Sequence, residues 1–365
     1  MWCLFKVMSF ILILGTTHGA FQYRRSVNPE ANMNISQIIS YWGYPDEEYD
    51  VVTEDGYILG LYRIPYGKTN NDNNSDAGYD VWMGNSRGTT WSRKHLYLKT
   101  DSKEFWAFSF DEMAKYDLPA SIDFIVKQTG QEEIFYVGHS QGTTIAFITF
   151  STIPKIAERI KIFFALAPVF SIKYSKSTLI KMAYKLKSVI KAFSGNKDFL
   201  PNTSFKRFVG SELCPLKNFD KICSDILFMM TGYDLKNLNM SRVDVYMTHN
   251  PAGTSVQNML HWSQLFNSSR LKAFDWGSPA LNLIHFNQTT SPLYNVTKMN
   301  VSAATWNGES DLLADPEDVK ILLSEITNHI YHKTISYYNH IDFLFGLDVY
   351  HQVYREIIDI IQGRL

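Results

Sequence analysis

Short apolar runs alternate with helical patterns over much of the chain. Runs rich in β-branched and aromatic residues, the usual composition of buried strands, occur at 133–137, 160–167, 301–306 and 329–334. Helical patterns follow at 143–150, 316–323 and 348–362. Strands that alternate with helices form a mostly parallel sheet covered by helices, so the pattern predicts an α/β fold.

The N-terminal part of the chain carries a different pattern. The amphipathic spacing of 34–41 predicts a short helix. The apolar runs 49–53 and 57–64 flank an Asp-Gly pair, which predicts a β-hairpin. Polar residues fill 68–76, so we expect a linker without a core face there, and a further strand is predicted at 79–83.

The alternation of strands and helices lapses between residues 171 and 300. This region is rich in Lys and Phe and has no strand pattern of its own. We expect it to form a mostly helical cap, inserted into an α/β core made of 20–170 and 301–365. A chain of 365 residues with 45% hydrophobic content can form one large domain with such an insertion.

Residues 1–19 have the features of a secretory signal peptide. Lys6 precedes an apolar run at 7–14, and small residues follow. The run is too short to span a bilayer. We therefore expect the protein to enter the secretory pathway and to be secreted or lysosomal. Because Cys3 leaves with the signal, the remaining Cys214 and Cys223 are expected to pair; two free buried thiols are the alternative.

Glycosylation motifs indicate the same compartment. Asn-x-Ser/Thr sequons, the acceptor sites for N-linked glycans, occur at Asn34, Asn73, Asn202, Asn239, Asn267, Asn287, Asn295 and Asn300. Their density is typical of a chain that passes through the secretory pathway.

A candidate catalytic motif lies at 138–142, where the sequence is Gly-His-Ser-Gln-Gly. A predicted strand precedes it and a predicted helix follows. Gly138 and Gly142 allow a sharp turn around Ser140. This is the G-x-S-x-G nucleophile elbow, which holds a serine hydroxyl above a helix N-terminus that favours the negative charge of acyl transfer. The alternative is a glycine-bounded turn with an incidental serine.

The acidic partner of this serine is expected after a later strand. In proteins with this elbow, an Asp or Glu and then a His follow the serine in the chain. Asp311 lies in the turn after the strand predicted at 301–306 and is our choice. Glu309 is a rival, whereas Asp315 precedes Pro316 and is expected to cap a helix.

Four histidines follow Asp311, and one of them lies in a loop after the last predicted strand. His329 and His332 fall in or beside that strand, and His351 falls in the last predicted helix. His340 lies between them and can reach over the serine, so we expect it to be the general base. In that arrangement His340 takes the proton of Ser140 and returns it to the leaving alcohol.

The other expected roles follow from the same chemistry. Asp311 fixes the tautomer of the His340 imidazole and stabilises the imidazolium. Gln141 offers its backbone N–H to the oxyanion.

Five segments together resemble the mammalian acid lipase family of gastric and lysosomal lipases, over nearly the whole mature chain. They are 38–45, 138–142, 250–255 (Asn-Pro-Ala-Gly-Thr-Ser), 275–278 (Asp-Trp-Gly-Ser) and 339–343 (Asn-His-Ile-Asp-Phe). The resemblance implies an α/β-hydrolase fold with a lid-bearing cap, and hydrolysis of neutral lipid esters, either acylglycerols or sterol esters. It also implies that Ser140, Asp311 and His340 form the catalytic triad and that Cys214 pairs with Cys223.

One feature of that family is missing from this chain. Family members have a strand that ends in His-Gly-Leu before the segment equivalent to 76–80, and its loop supplies the second oxyanion N–H. Here the linker leads directly into Asp76, and no such strand is found between about 67 and 77. Losing one oxyanion donor costs about 10²–10³ in turnover. Losing an internal strand exposes two sheet edges. We expect this to remove a large part of the free energy of unfolding, which is about 5–15 kcal/mol for a native protein, so the effect on stability is the more serious of the two.

The sequence thus favours one function, leaves alternatives open and argues against several other classes. A secreted ester hydrolase is expected, and the alternative is a catalytically impaired product of a skipped coding segment that binds lipid without turnover. A net charge of −1 and the lack of basic runs argue against nucleic acid. No zinc or phosphate-binding motif occurs, so no metal or cofactor is expected. We expect a monomer that acts at a lipid–water interface; an amidase or protease with the same triad stays open.

Overall fold

The computed structural model describes residues 26–68, 77–185, 198–199, 209–215, 219–234, 236–266 and 268–365. The predicted signal peptide at 1–19 lies outside these ranges. So do the polar linker beyond residue 68 and the sequons at Asn73, Asn202 and Asn267.

The described elements agree in type with those predicted, and most boundaries shift by one to three residues. The strands are β1 Glu47–Val52, β2 Tyr57–Ile64, β3 Val81–Gly84, β4 Lys94–His95, β5 Ile134–His139, β6 Ile160–Leu166, β7 Asp198–Phe199, β8 Thr254–Ser255, β9 Ala303–Gly308 and β10 His329–Ile335. The helices are α1 Ile35–Tyr41, α2 Phe110–Glu112, α3 Leu118–Thr129, α4 Gln141–Thr152, α5 Pro154–Ala157, α6 Thr178–Lys185, α7 Phe219–Thr231, α8 Val243–His249, α9 Val256–Leu265, α10 Pro279–Phe286, α11 Pro316–Leu323, α12 Asp342–Phe345 and α13 Arg355–Ile361.

The strands form two main sheets. Four parallel strands lie in the order β10–β9–β6–β5. The hairpin strands β1 and β2 form an antiparallel sheet with β3, and β4 also pairs with β2. Helices lie between the parallel strands along the chain, so the predicted α/β architecture is confirmed. The sheet is not continuous, however, and this differs from the single mostly parallel sheet expected from the strand pattern.

Strands β3 and β5 each end their own sheet, and we infer that the break in the sheet lies between them. Side chains on both edge strands are open to solvent: Val81 is 44% exposed and Val137 is 51% exposed. In the described parts of the connection from β2 to β3, residues 65–68 and 77–80, no further strand occurs. Two exposed edges are the consequence expected from the missing strand.

Side-chain packing joins the two sheets where backbone pairing does not. One hydrophobic core contains Leu59 and Leu61 of β2 together with Phe163 of β6 and Trp306 of β9. Helix α3 contributes Phe124, whose ring contacts Tyr49 of β1 and Trp82 of β3. The helices that cover the sheets therefore carry part of the cohesion that a central strand would supply.

Arg87 adds a polar connection between the antiparallel sheet and α3. Its guanidinium is buried and bonds both carboxylate oxygens of Asp55, in the hairpin turn, at 2.6 and 2.8 Å. Its Nε donates to Asp117 at 2.7 Å, and its backbone N–H donates to the same carboxylate at 2.8 Å. The cation also lies 3.9 Å from the ring centre of Tyr57. Every side of the buried charge is thus compensated.

The region 171–300 is mostly helical where it is described, with a short pairing of β7 with β8. Cys214 and Cys223 form a disulfide there, as predicted. A small second core surrounds that disulfide and includes Phe228, Tyr246 and Ile341. The boundaries of the cap at 171 and 300 stay predictions.

We predict that Arg87→Met destabilises the protein by about 3–5 kcal/mol, because it leaves Asp117 as a buried carboxylate without its cation. The measurement is urea unfolding of the purified protein. Lys94→Met is the matched control: it breaks the exposed Lys94–Asp50 pair and should cost less than about 1 kcal/mol. Equal midpoints for the two variants would contradict the role assigned to Arg87.

Candidate active site

Ser140 lies at the turn between β5 and α4, where the motif predicted it. Its φ of 54° and ψ of −125° fall outside the regions that side-chain-bearing residues usually adopt. A Cβ on Gly138 would lie 3.0 Å from the backbone of Gly142, a tight contact that favours glycine at that position. The sharp turn lifts the serine hydroxyl clear of the sheet.

The structure brings together the three residues that the sequence analysis selected. His340 Nε2 lies 2.7 Å from Ser140 Oγ. His340 Nδ1 lies 2.8 Å from Asp311 Oδ2. His340 and Asp311 are both buried. Asp311 is held in turn, because its Oδ1 accepts hydrogen bonds from the N–H groups of Leu313 and Ala314 at 2.8 and 2.9 Å.

The rival acids lie elsewhere. Glu309 is exposed. Asp315 caps α11 by accepting the N–H of Glu317 at 3.0 Å, as expected from Pro316.

The rival histidines are also engaged away from Ser140. His329 and His332 both lie 2.8 Å from the hydroxyl of Thr305. His351 is exposed.

His139, which the sequence analysis passed over, fixes the backbone of the His340 loop. Its Nε2 lies 2.7 Å from the carbonyl oxygen of His340. Burial lowers the pKa of His139 to about 3, so the ring is neutral. A carbonyl only accepts hydrogen bonds, so Nε2 carries the hydrogen and donates it. The sequence did contain a signal for this role, because His139 occupies the first variable position of the G-x-S-x-G motif, immediately before Ser140.

The carbonyl oxygen of Thr231 joins the two loops that carry the acid and the base. It accepts the N–H of His340 at 3.1 Å and the N–H of Leu312 at 3.3 Å. The Asn339 side chain also donates to the carbonyl of Gly232 at 3.0 Å. Sequence reasoning could not find this connection, because more than 75 residues separate Thr231 from both loops.

Gln141 is fixed by its side chain, which leaves its backbone N–H at the start of α4. The side-chain oxygen accepts hydrogen bonds from Trp262 Nε1 at 2.7 Å and Asn258 Nδ2 at 2.9 Å. The N–H of the first residue of a helix has no partner within that helix. It therefore lies beside Ser140 in a position that favours negative charge.

The remaining predicted residues lie away from Ser140. Among the sequons that the structure describes, Asn34, Asn287, Asn295 and Asn300 are exposed and Asn239 is half-buried. The disulfide belongs to the second core and takes no part in the hydrogen bonds of Ser140 and His340.

Two further classes of feature were searched for in the described ranges. No cluster of three or more His, Cys, Asp or Glu residues there is arranged to hold a metal ion. Within the same ranges, no helix has the length and apolar character needed to cross a membrane.

The chain matches known proteins over most of its length. Residues 59–347 match the family model described as alpha/beta hydrolase fold. The chain is similar to Lipase member J of Homo sapiens, with 75% identity over 91% of this chain and 100% of that protein. It is also similar to gastric triacylglycerol lipase of Homo sapiens, with 53% identity over 99% of each chain.

A solved structure gives the same fold. The chain is similar to a soluble variant of monoglyceride lipase from Saccharomyces cerevisiae, with a TM-score of 0.50 over 94% of this chain and 98% of that one. Because the two are only 13% identical, this likeness concerns the fold alone.

One of these alignments is longer than this chain. The alignment with human gastric triacylglycerol lipase runs over 393 positions, although this chain has 365 residues. Part of that relative therefore has no counterpart in this chain. From the family model and these identities, we conclude that the chain belongs to the α/β-hydrolase fold family, among the lipases related to gastric triacylglycerol lipase.

Proposed function

We propose that this protein is a carboxylic ester hydrolase that acts on neutral lipid esters through an acyl-enzyme. The observation that carries the proposal is the continuous hydrogen-bonded chain from Ser140 through His340 to Asp311. In that order, the carboxylate holds the imidazole, and the imidazole faces the hydroxyl that attacks.

The reaction proceeds in two halves. Ser140 Oγ attacks the ester carbonyl carbon while His340 Nε2 takes the serine proton, which gives a tetrahedral oxyanion beside the Gln141 N–H. When the carbon–oxygen bond to the alcohol breaks, His340 returns the proton to the leaving alcohol. Water then attacks the acyl-enzyme with His340 as base, and the carboxylic acid and free Ser140 result.

The substrate class and the location rest on the relatives and on the surface motifs. The relatives include gastric triacylglycerol lipase, and lysosomal acid lipase/cholesteryl ester hydrolase of Macaca fascicularis at 49% identity. Acylglycerols or sterol esters at a lipid–water interface are the substrates that these names favour. The exposed sequons support passage through the secretory pathway, and we propose a secreted or lysosomal protein.

The reduced oxyanion site favours slow turnover. Gln141 supplies one N–H donor, whereas the strand and loop expected to supply the second are missing from the sequence. If activity is lost completely, the second candidate function applies: a lipid-binding protein of this fold without turnover. The break between β3 and β5 is the observation that favours it.

Asp342 is hydrogen-bonded to the backbone of the His340 loop. Its Oδ2 accepts the N–H of Asn339 at 2.7 Å, and its buried Oδ1 has no hydrogen-bond partner in the described part of the chain. Burial, together with smaller contributions from the carboxylates of Asp234, Asp348 and Asp311, raises the pKa of Asp342 to about 7. In the folded protein Asp342 is therefore mainly neutral below about pH 7 and mainly ionised above it.

We predict that Ser140→Ala abolishes ester hydrolysis and leaves secretion unchanged, because the hydroxyl is the nucleophile and its loss opens no cavity in the core. The measurement is labelling of secreted protein with a fluorophosphonate probe, together with hydrolysis of p-nitrophenyl butyrate. Hydrolysis by Ser140→Ala at the wild-type rate would exclude Ser140 as the nucleophile. Absence of labelling in a folded wild-type protein would favour the lipid-binding alternative.

We predict that the turnover number is about 10²–10³-fold lower than that of human gastric triacylglycerol lipase under the same conditions, because the loss of one oxyanion donor lowers kcat by about that factor. Active-site titration with the same probe gives the concentration of competent serine for both enzymes. Equal turnover per titrated serine would mean that another group supplies the second donor.

We predict that ionisation of Asp342 destabilises the protein between acid and neutral pH. The folded pKa of Asp342, about 7, exceeds the unfolded value. The contribution of this carboxyl to stability is therefore fully present below about pH 4 and is lost as the pH rises towards about 7. Thermal unfolding at about pH 4.5 and about pH 7.5 measures the difference.

The variant Asp342→Asn should reduce this difference, because the amide does not ionise. Asp50→Asn is the control, since Asp50 is exposed and pairs only at the surface with Lys94. Burial also raises the pKa values of Asp111 and Asp117 to about 6, so part of the pH dependence should persist. An unchanged slope in Asp342→Asn would assign the pH dependence to other groups.

A further inference from the structure

A cavity of about 860 Å³ lies apart from Ser140, beside the end of β3. Its floor includes Tyr62 and Met83, which face each other across the β2–β3 pair. Helix α1 contributes Ile35 and Ile38 to one side, and the segment 344–347 closes another. Cavities of about 300–1,000 Å³ with mostly apolar walls are typical sites for small ligands.

The charged groups of the wall compensate each other. Arg242 donates two hydrogen bonds to the Glu30 carboxylate, at 2.8 and 2.6 Å. This bidentate pair uses both terminal nitrogens of the guanidinium and both oxygens of the carboxylate. A charged ligand would therefore have to compete with an ion pair that is already formed, so the cavity favours an uncharged ligand.

Three polar side chains of the wall make hydrogen bonds with the protein backbone. His249 has one ring nitrogen 2.9 Å from the carbonyl of Met33 and the other 2.9 Å from that of Val245. The Asn85 amide donates to Gly60 O at 3.0 Å, and that of Asn250 donates to Tyr246 O at 3.2 Å. What remains for a ligand is mainly the apolar surface of aliphatic and aromatic side chains.

The roof of the cavity is continuous with the loop of the candidate general base. Segment 344–347 begins four residues after His340 and includes the end of α12. Phe345 stacks on Tyr246 at 4.2 Å, so the roof is also attached to α8. A molecule in the cavity therefore lies against the same short stretch of chain that presents His340 to Ser140.

We propose that this cavity binds one long aliphatic chain of an uncharged lipid. On the proposed function, that chain is the acyl or alkyl chain of the ester, and the cavity sets the chain length that the enzyme prefers. A free long-chain alcohol or other neutral lipid has the same chemistry, so the experiment distinguishes the two sources.

Binding is measured first without catalysis, on the full-length Ser140→Ala protein. Straight-chain alcohols from hexanol to hexadecanol displace an environment-sensitive fluorescent dye. The dissociation constant should fall about fourfold for each added methylene until the cavity is filled, the effect of burying one methylene. Affinity that does not depend on chain length would overturn the proposal. Tighter binding of a fatty acid carboxylate than of the matching alcohol would overturn the uncharged ligand.

Two substitutions that fill the cavity from different elements test its location. Met83→Trp on β3 and Ile38→Trp on α1 should each weaken dodecanol binding by about tenfold or more, as expected when two methylenes lose their contacts. Ile284→Trp on α10, at a side chain that is 76% exposed and outside the cavity, is the matched control. Thermal unfolding confirms that each variant is folded. Unchanged dodecanol binding in both folded variants would overturn the site.

Kinetic measurements on cavity variants that retain Ser140 show whether the bound aliphatic chain belongs to the ester substrate or to a separate lipid. If it belongs to the substrate, the two cavity variants lower kcat/KM for p-nitrophenyl laurate by a similar factor and leave that for p-nitrophenyl butyrate unchanged. If dodecanol binding falls while both kcat/KM values stay at the wild-type level, the ligand is a separate neutral lipid, and the assignment to the ester chain is overturned. Chain-length-dependent binding by Ser140→Ala, with no hydrolysis of either ester by wild type, would refute the proposed function but not the site.

Discussion

A guanidinium that is removed from water needs acceptors around its whole plane, and Arg87 has them only because the hairpin turn and the start of α3 meet there. Asp55 and Asp117 come from elements more than 60 residues apart in the chain, and the cation holds them together. Breaking one side of such a buried pair leaves an uncompensated charge, which costs far more than the pair itself contributes. In a sheet with a break beside β3, this directional interaction fixes the antiparallel strands relative to a helix of the parallel half.

The residues of the candidate site were largely predictable because each has a local signature. Glycines around a serine, an acid after a strand and a histidine in a late loop are chemical requirements that appear directly in the sequence. The groups that position these residues lack such signatures. Trp262 and the carbonyl of Thr231 act through contacts made only by folding, and a backbone carbonyl has no sequence signal at all.

The fold was predictable to a similar degree and for a related reason. Periodicity gives the type of each element, since a side chain that faces the core must recur at the spacing of its helix or strand. It does not give the pairing of strands. The separation into two sheets depends on which strand neighbours β3 and β5, and only the resemblance to a family with an additional strand indicated where the break would occur.

The carbonyl of Thr231 has a consequence for how a substrate can enter. It belongs to the C-terminal end of α7, in the region expected to form the cap, and yet it accepts hydrogen bonds from the loops of both His340 and Asp311. The adjacent Gly232 is so close to Ser310 that a Cβ there would lie 2.3 Å from its carbonyl oxygen. This end of α7 is therefore bonded to the loops that carry the candidate catalytic residues. Any movement of the expected cap that preserves the reactive geometry must therefore leave the end of α7 in place, because this end is bonded to the loops of both His340 and Asp311.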